Sequence, residues 1–440
     1  MLRRDWLRRE LDTLGVFVLA RNDAQSTFYL LIGFIALYGG EYTLLVALYA
    51  VALMASIALA YGEMGSHFPE TGGSYLYVKY SLGPLVGYIS AWLLALDQVI
   101  MVSYGTLDAS IYLLSLLDRL GVEAAIPASL VALMFSSALF VVTLSGIRES
   151  ARLAMAVAFF DIAVVFTLLL LANALGGLSF EPPSFEWSGV GYTSLLMAFA
   201  LASRGFTGID SIGQLAGEAR SPLIQIPRAT ILLVAAMGVV SLSLTVLLMS
   251  RAPYEYIGAK PELALLLVAE NTPFIGSIAV ILVALNLILI MLTAALTGYV
   301  AFSRLVYMLA EEGHLPRVLA GVHGKFRTPH VALLVVYVVS ALFIIPGELK
   351  LIVEVYAIAS LANYLLVSIS LAMLERRGRL HGGFRSPRIK GIPVTAVACA
   401  TLTSIGIFLS LVERLHAVWV LGVWAFLGLA LLYARRLYMR

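Results

Sequence analysis

Two short polar tracts stand inside otherwise apolar stretches of the chain. The first is Arg21-Asn-Asp-Ala-Gln-Ser-Thr27 and the second is Ser203-Arg-Gly-Phe-Thr-Gly-Ile-Asp210. Each carries an arginine and an aspartate, and Asp97, Asp161 and Asn286 lie deep in other apolar runs. Side chains of these types can grip a carboxylate through a guanidinium fork, hold an amine through a carboxylate, or pass a proton. A charge at mid-membrane costs at least about 2.5 kcal/mol. A tolerated kink needs only glycine or proline, so two tracts with an arginine and an aspartate each read as functional. Other chemistries fare badly. All six histidines (67, 314, 323, 330, 381 and 416) fall at the ends of apolar runs or between them, so no intramembrane His-x-x-x-His zinc site exists, and there is no phosphate-cradling glycine-lysine loop. The single cysteine, Cys399, excludes a disulfide framework and any cysteine-held cluster. An aspartyl dyad of Asp97 with Asp161 or Asp210 gives the two polar tracts no task. No enzyme activity, metal or cofactor is expected.

The elements that must position these groups follow from composition. The 440 residues are 61% hydrophobic and only 12% charged, about half the charged fraction of a soluble domain. Twelve stretches of about twenty or more mainly apolar residues centre within 12–37, 41–62, 85–116, 126–145, 151–176, 191–215, 227–250, 273–309, 329–346, 351–374, 392–412 and 415–434. They are too long for barrel strands and show no alternation, so the fold class is an all-α integral membrane protein with 12 transmembrane helices. With the N-terminus inside, the cytoplasmic segments hold 22 Lys and Arg against 5 in the opposite loops. That asymmetry places both termini in the cytoplasm and makes the chain a multi-pass protein of the cytoplasmic membrane. The basic runs are topological signals, and a net charge of +3 gives no reason to expect nucleic acid. Residues 1–10 read as an amphipathic cytoplasmic lead-in rather than a signal peptide.

The two tracts lie five spans apart, an odd number, so they enter the membrane from opposite sides. That spacing predicts a 5+5 inverted repeat in a single transporter domain: 1–176 as the first repeat, 190–374 as the second, and 392–440 as two appended helices and a tail. It also predicts that helices 1 and 6 are discontinuous, unwound near 22–27 and 204–209, with a solute site at the midplane between them.

Three further motifs carry a resemblance. They are Ala60-Tyr-Gly-Glu-Met-Gly-Ser-His-Phe-Pro-Glu-Thr-Gly-Gly-Ser-Tyr-Leu-Tyr77 with Leu82-Gly-Pro-Leu-Val-Gly87; Gly205-Phe-Thr-Gly-Ile-Asp210 with Gly217-Glu-Ala-Arg-Ser-Pro222 and Ile226-Pro-Arg-Ala229; and Ser303-Arg-Leu-Val-Tyr-Met-Leu-Ala-Glu-Glu-Gly-His-Leu-Pro316. In this order and spacing the chain resembles, over nearly its whole length, the amino acid–polyamine–organocation (APC) transporters. The resemblance implies the five-plus-five fold of LeuT-type transporters and secondary transport of an amino acid or related amine. Its partners would be that solute, a proton or sodium ion, and membrane lipid.

The departures from the family pattern sharpen the expectations. The family's glycine-rich break in span 1 falls here on Asp23-Ala-Gln-Ser26, which keeps only the small Ala24 and Ser26. Substrate-lining residues carried over by the resemblance are Asn22, Asp23, Ala24, Gln25, Ser26, Thr27, Tyr104, Arg204, Phe206 and Gly208, with Asp97, Asp210 and Asn286 behind them. A span 5 lysine that serves many members in place of sodium corresponds to Asp161, and Arg21 is its natural partner. That pair either fixes packing or couples transport to a proton or cation. Asp23 could hold the substrate amine, bind a proton, or cap a second half-helix. Arg204, standing where many members have a large gating residue, favours a carboxylate-bearing solute over a polyamine, and Phe206 retains the gating role. Tyr104 reads as core packing or as a ligand. Glu63 and Glu218 serve the inner gate or loop packing. Proton coupling is favoured, with sodium symport or amino acid exchange as alternatives on the same fold. A transport-inactive amino acid sensor is the alternative of another class.

Overall fold

The computed structural model describes residues 9, 11–68, 70, 72–176, 190–251, 257, 260–272, 276–347, 349–380, 383–413 and 415–438. The proposed lead-in, apart from Arg9, lies outside the described residues.

Every one of the twelve apolar stretches carries a helix. They are α1 (Thr13–Gly39), α2 (Thr43–His67), α3 (Ser74–Leu82), α4 (Pro84–Arg119), α5 (Ala128–Leu144), α6 (Ile147–Gly176), α7 (Tyr192–Ala202), α8 (Ser211–Gln214), α9 (Pro222–Arg251), α10 (Ala264–Glu270), α11 (Gly276–Glu311), α12 (His330–Ile344), α13 (Leu349–Arg376), α14 (Val394–Glu413) and α15 (Leu415–Tyr438). The short α3, α8 and α10 are additions to the main helices. A two-strand antiparallel hairpin, β1 (Arg388–Ile389) and β2 (Ile392–Pro393), joins α13 to α14. Among the described residues six helical stretches are long and apolar enough to cross a membrane, the first of them spanning both α1 and α2, and shorter apolar helices accompany them.

The distribution of side chains suits lipid. Leu48, Met134, Phe166, Val239, Phe408 and Phe426 are large, apolar and exposed, while Arg21, Asp23, Asp97, Asp161, Arg204 and Asp210 are buried. A soluble protein would reverse this pattern. Helices suit such a medium because each satisfies its own backbone polar groups. α1 lies at the centre, packed against α6, α7, α9 and α11, and α4 packs on α11 and α13.

One sequence expectation is corrected here. α1 is not discontinuous: it runs unbroken from Thr13 to Gly39 through the whole Arg21–Thr27 tract. The tract holds no glycine or proline to break it, and the weak helix preference of Asn22, Asp23, Ser26 and Thr27 costs only a few tenths of a kcal/mol each, about what packing readily overrides. Its polar side chains find partners on other helices, as described below, and do not require the backbone to open. The helix begins where Asp12 Oδ1 accepts from the Gly15 N–H at 2.7 Å and stops at Gly40, whose φ is +50°. With no second half-helix present, Asp23 has no helix start to cap.

The second tract does break. α7 ends at Ala202 and α8 starts at Ser211, with tight turns between them. Gly208 adopts φ +98°, a conformation that side chains rarely tolerate.

Candidate functional site

At 100° per residue, the polar tract of α1 splits into two stripes. Arg21, Asn22, Gln25 and Tyr29 fall on one side. Asp23, Ser26 and Thr27 fall on the other. Each stripe faces a different set of neighbours, and the two knots they form differ in kind.

The first knot surrounds Asp161 on α6. Arg21 forms a salt bridge with Asp161 Oδ2, and both side chains are buried. The Tyr29 hydroxyl donates to Asp161 Oδ1 at 2.7 Å, and Asn286 Nδ2 on α11 donates to the same oxygen at 2.6 Å. Asn22 Nδ2 donates to the Ala154 carbonyl at 2.8 Å, fastening α1 to α6 about two turns from Asp161. Asp161 therefore has a cation on one oxygen and two donors on the other. Beside it a small apolar cavity of about 20 Å³, lined by Val164, Leu168, Leu244, Val283, Tyr29 and Asn286 among others, is large enough for one water. Gln25 is fully buried on the same stripe.

The second knot lies where α1, α4, α13 and the α7–α8 turn meet. Tyr104 on α4 shares hydrogen bonds with Thr27 Oγ1 at 2.9 Å and Ser26 Oγ at 3.3 Å. Thr27 Oγ1 also donates to the Thr207 carbonyl at 3.3 Å, so α1 is tied directly to the turn. Ser26 Oγ donates back to the Asp23 carbonyl at 2.6 Å. Phe206 stacks on Phe28 with ring centroids 5.0 Å apart and planes inclined by 10°. The Asp23 carboxylate presses against Gly208: a Cβ built there would overlap it. Ala24 is fully buried between the stripes.

Behind that contact stand two more carboxylates. Asp210 accepts from the Tyr364 hydroxyl at 2.9 Å and from Gln214 Nε2 at 2.9 Å. The Gly208 N–H in turn donates to Tyr364 Oη at 3.3 Å. Gln98 Nε2 reaches both Asp97 Oδ2, at 3.3 Å, and Asp210 Oδ2, at 3.5 Å. Ser360 donates to Asp97 Oδ1. Neither Asp23 oxygen has a hydrogen-bond partner of normal geometry, although the Ser211 hydroxyl lies close by.

Arg21, Asp161 and Asn286 come together, and so do Asp23, Ser26, Thr27, Tyr104, Phe206 and Gly208, with Asp97 and Asp210 adjoining. Tyr104 is a hydrogen-bonding member of its knot and not only core packing. Arg204 is 1% exposed, inside the turn segment, where its carbonyl accepts from the Thr207 N–H at 3.1 Å. Tyr29, Gln98, Gln214, Ser360 and Tyr364 were missed. Tyr29 sits eight residues after Arg21 on one helix face, and Ser360 and Tyr364 sit four apart on another, so their spacing was a usable signal.

Over residues 11–432 the sequence matches the amino acid permease family. The chain belongs to that family. The permease is a multi-pass transporter of the APC superfamily and not an enzyme. It is similar to the branched-chain amino acid permease BcaP of Bacillus subtilis (strain 168), 24% identical over 412 residues that cover 88% of this chain and 85% of that one. It is similar also to the methylthioribose transporter of the same organism, 24% identical over 387 residues, covering 83% and 81%. The low-affinity putrescine importer PlaP of Escherichia coli (strain K12) is 26% identical over 346 residues, covering 73% and 72%.

One end of the permease is fastened by ion pairs and short backbone contacts. Glu63, fully buried at the end of α2, accepts from the Ser386 N–H at 3.0 Å and its hydroxyl at 2.6 Å, and pairs with Arg388 of the hairpin. Arg388 also bridges to Glu375 at 3.1 Å. Burial works against the Arg388 charge, but Glu375 and Glu63 outweigh it and push its pKa up. On the same side Arg304 pairs with Glu218 at 2.8 Å and Lys79 with Glu312 at 2.5 Å. Leu11 bonds through its backbone to Glu218 and Arg220 at 3.0 and 2.9 Å.

Proposed function

We propose that the permease is a secondary active transporter that carries an amino acid or related amine across the cytoplasmic membrane by alternating access, driven by a proton gradient. In this reading twelve helices span the bilayer, with both termini cytoplasmic and spans 1–5 related to spans 6–10 by inversion. The second repeat keeps its broken helix, and the first does without one. The Glu63, Glu218 and Arg388 contacts close the cytoplasmic side.

The observation that carries this reading is Asp23: a buried carboxylate without a hydrogen bond, held against the broken turn in the protein's interior. A carboxylate left so poorly solvated favours taking a proton or a cationic group. Asp161 supports coupling less well, because Arg21, Tyr29 and Asn286 already stabilise its charge. We assign Asp23 the proton and Asp161 the task of fixing α1 against α6. Tyr104, Ser26, Thr27, Phe206 and Gly208 form the wall on which solute rests. The names of the relatives, which include amino acid and putrescine carriers, agree with a small amine-bearing solute.

Purified permease in liposomes should accumulate radiolabelled solute when a pH gradient is imposed, and Asp23→Asn should abolish that response. Strict sodium dependence without a pH response would move the assignment to sodium symport. Binding without uptake or counterflow would make the protein a sensor.

A further inference from the structure

We propose that Asp23, Asp97 and Asp210 form a cation subsite and that the substrate is an organic amine with more positive than negative charge, a diamine or a basic amino acid. This rests on the transporter reading above and narrows it.

The first ground is a local excess of acceptors. Gln98 and Gln214 both turn their Nε2 groups toward carboxylates, and reversing either amide would set its oxygen against a carboxylate oxygen, acceptor against acceptor. Their Oε1 atoms are left buried without a donor, as are both oxygens of Asp23. Four acceptor atoms therefore lack partners in one buried region, with Gln98 fully buried, Gln214 3% exposed and Asp23 fully buried. The nearby Ser211 hydroxyl can supply a single O–H. An ammonium brings three N–H groups and a guanidinium five.

The second ground is charge. Among the described residues no Lys, Arg or His forms an ion pair or hydrogen bond with any of these three carboxylates; their hydrogen-bonding partners are Gln98, Gln214, Ser360 and Tyr364. Arg21, on the same helix as Asp23, is engaged by Asp161. Arg204, buried in the same turn segment, supplies one positive charge against three buried carboxylates, and the remainder must come from protons when the site is empty and from the ligand when it is filled.

The third ground is shape. Among the described residues no three acids, histidines or cysteines converge closely enough to hold a metal ion. The ligand must have its own extent. The unbroken α1 also withholds what a zwitterion would need, because its backbone N–H groups from Asn22 to Thr27 lie within the helix and form no open nest for a carboxylate.

The test is a thermal-shift series on the purified permease with 1,4-diaminobutane, lysine, arginine, leucine, serine and glutamate. Amines of net positive charge should raise the melting temperature more than the other ligands, and Asp97→Asn should weaken their apparent affinity by roughly thirtyfold or more. The ligand series on the unaltered protein decides the matter should that variant fail to fold. Stabilisation by leucine, serine or glutamate equal to or above that by the net-positive amines overturns the subsite and leaves the transporter reading standing. A protein that responds to none of the six and takes none of them up into liposomes overturns both.

Discussion

The two knots on α1 use the same residue types to opposite ends. At Asp161 every carboxylate oxygen has a partner, a cation on one and two neutral donors on the other. At Asp23, one helix face away, both oxygens lack one, and the neighbouring acids add charge of the same sign. A buried network that is complete holds helices in place. One that leaves both oxygens of a carboxylate without a partner favours a ligand that brings donors. Under the proposed function, this contrast is what assigns Asp161 to structure and Asp23 to transport, since burial does not distinguish two fully buried aspartates.

The largest expected effect attacks the complete knot. Asp161→Asn and Arg21→Gln each strand a buried charge, and each should lower unfolding free energy by about 3–5 kcal/mol in detergent. The exchanged pair, Arg21→Asp with Asp161→Arg, should recover part of that loss; a double exchange no better than either single change would show that the pair contributes little. Next comes Gly208→Ala. Its φ of +98° makes alanine strained by about 1–3 kcal/mol, and the added carbon displaces Asp23. Liposome uptake should vanish in that variant even where its melting curve remains cooperative.

Tyr104→Phe removes a hydroxyl shared with Thr27 and Ser26 and should cost about 1 kcal/mol, read as a modest fall in melting temperature with weakened solute binding. The smallest change in stability is expected at Asp23→Asn, from neutral to about 1 kcal/mol of stabilisation, because a carboxyl without hydrogen-bond partners is replaced by an amide that is neutral in every state. Opposite signs for Asp23→Asn and Asp161→Asn are the sharpest form of the comparison. Equal losses would erase it.

Much of this was legible in the sequence. Length and spacing of apolar runs gave all twelve helical stretches, and the family pattern brought Arg21 to Asp161. The break at 203–210 was legible because Gly205 and Gly208 announce it. What misled was the assumption that polarity inside a span must open the backbone. In α1 the tract is polar but free of glycine and proline, and Arg21, Asn22, Ser26 and Thr27 reach partners sideways. Those partners belong to helices distant in the chain, so no local pattern could reveal them. Gln98 escaped for a related reason: it is an ordinary side chain until Asp210, 112 residues away in the chain, is set beside it.

An uninterrupted α1 has a mechanical consequence. Its 27 residues make a rod about 40 Å long with no hinge. Arg21 and Asp23 are two residues apart on that rod, so neither can shift alone. Under the alternating access proposed above, any tilt that draws Asp23 away from Gly208 also swings Arg21 and Tyr29 against Asp161, with the salt bridge as fulcrum and the whole helix as lever.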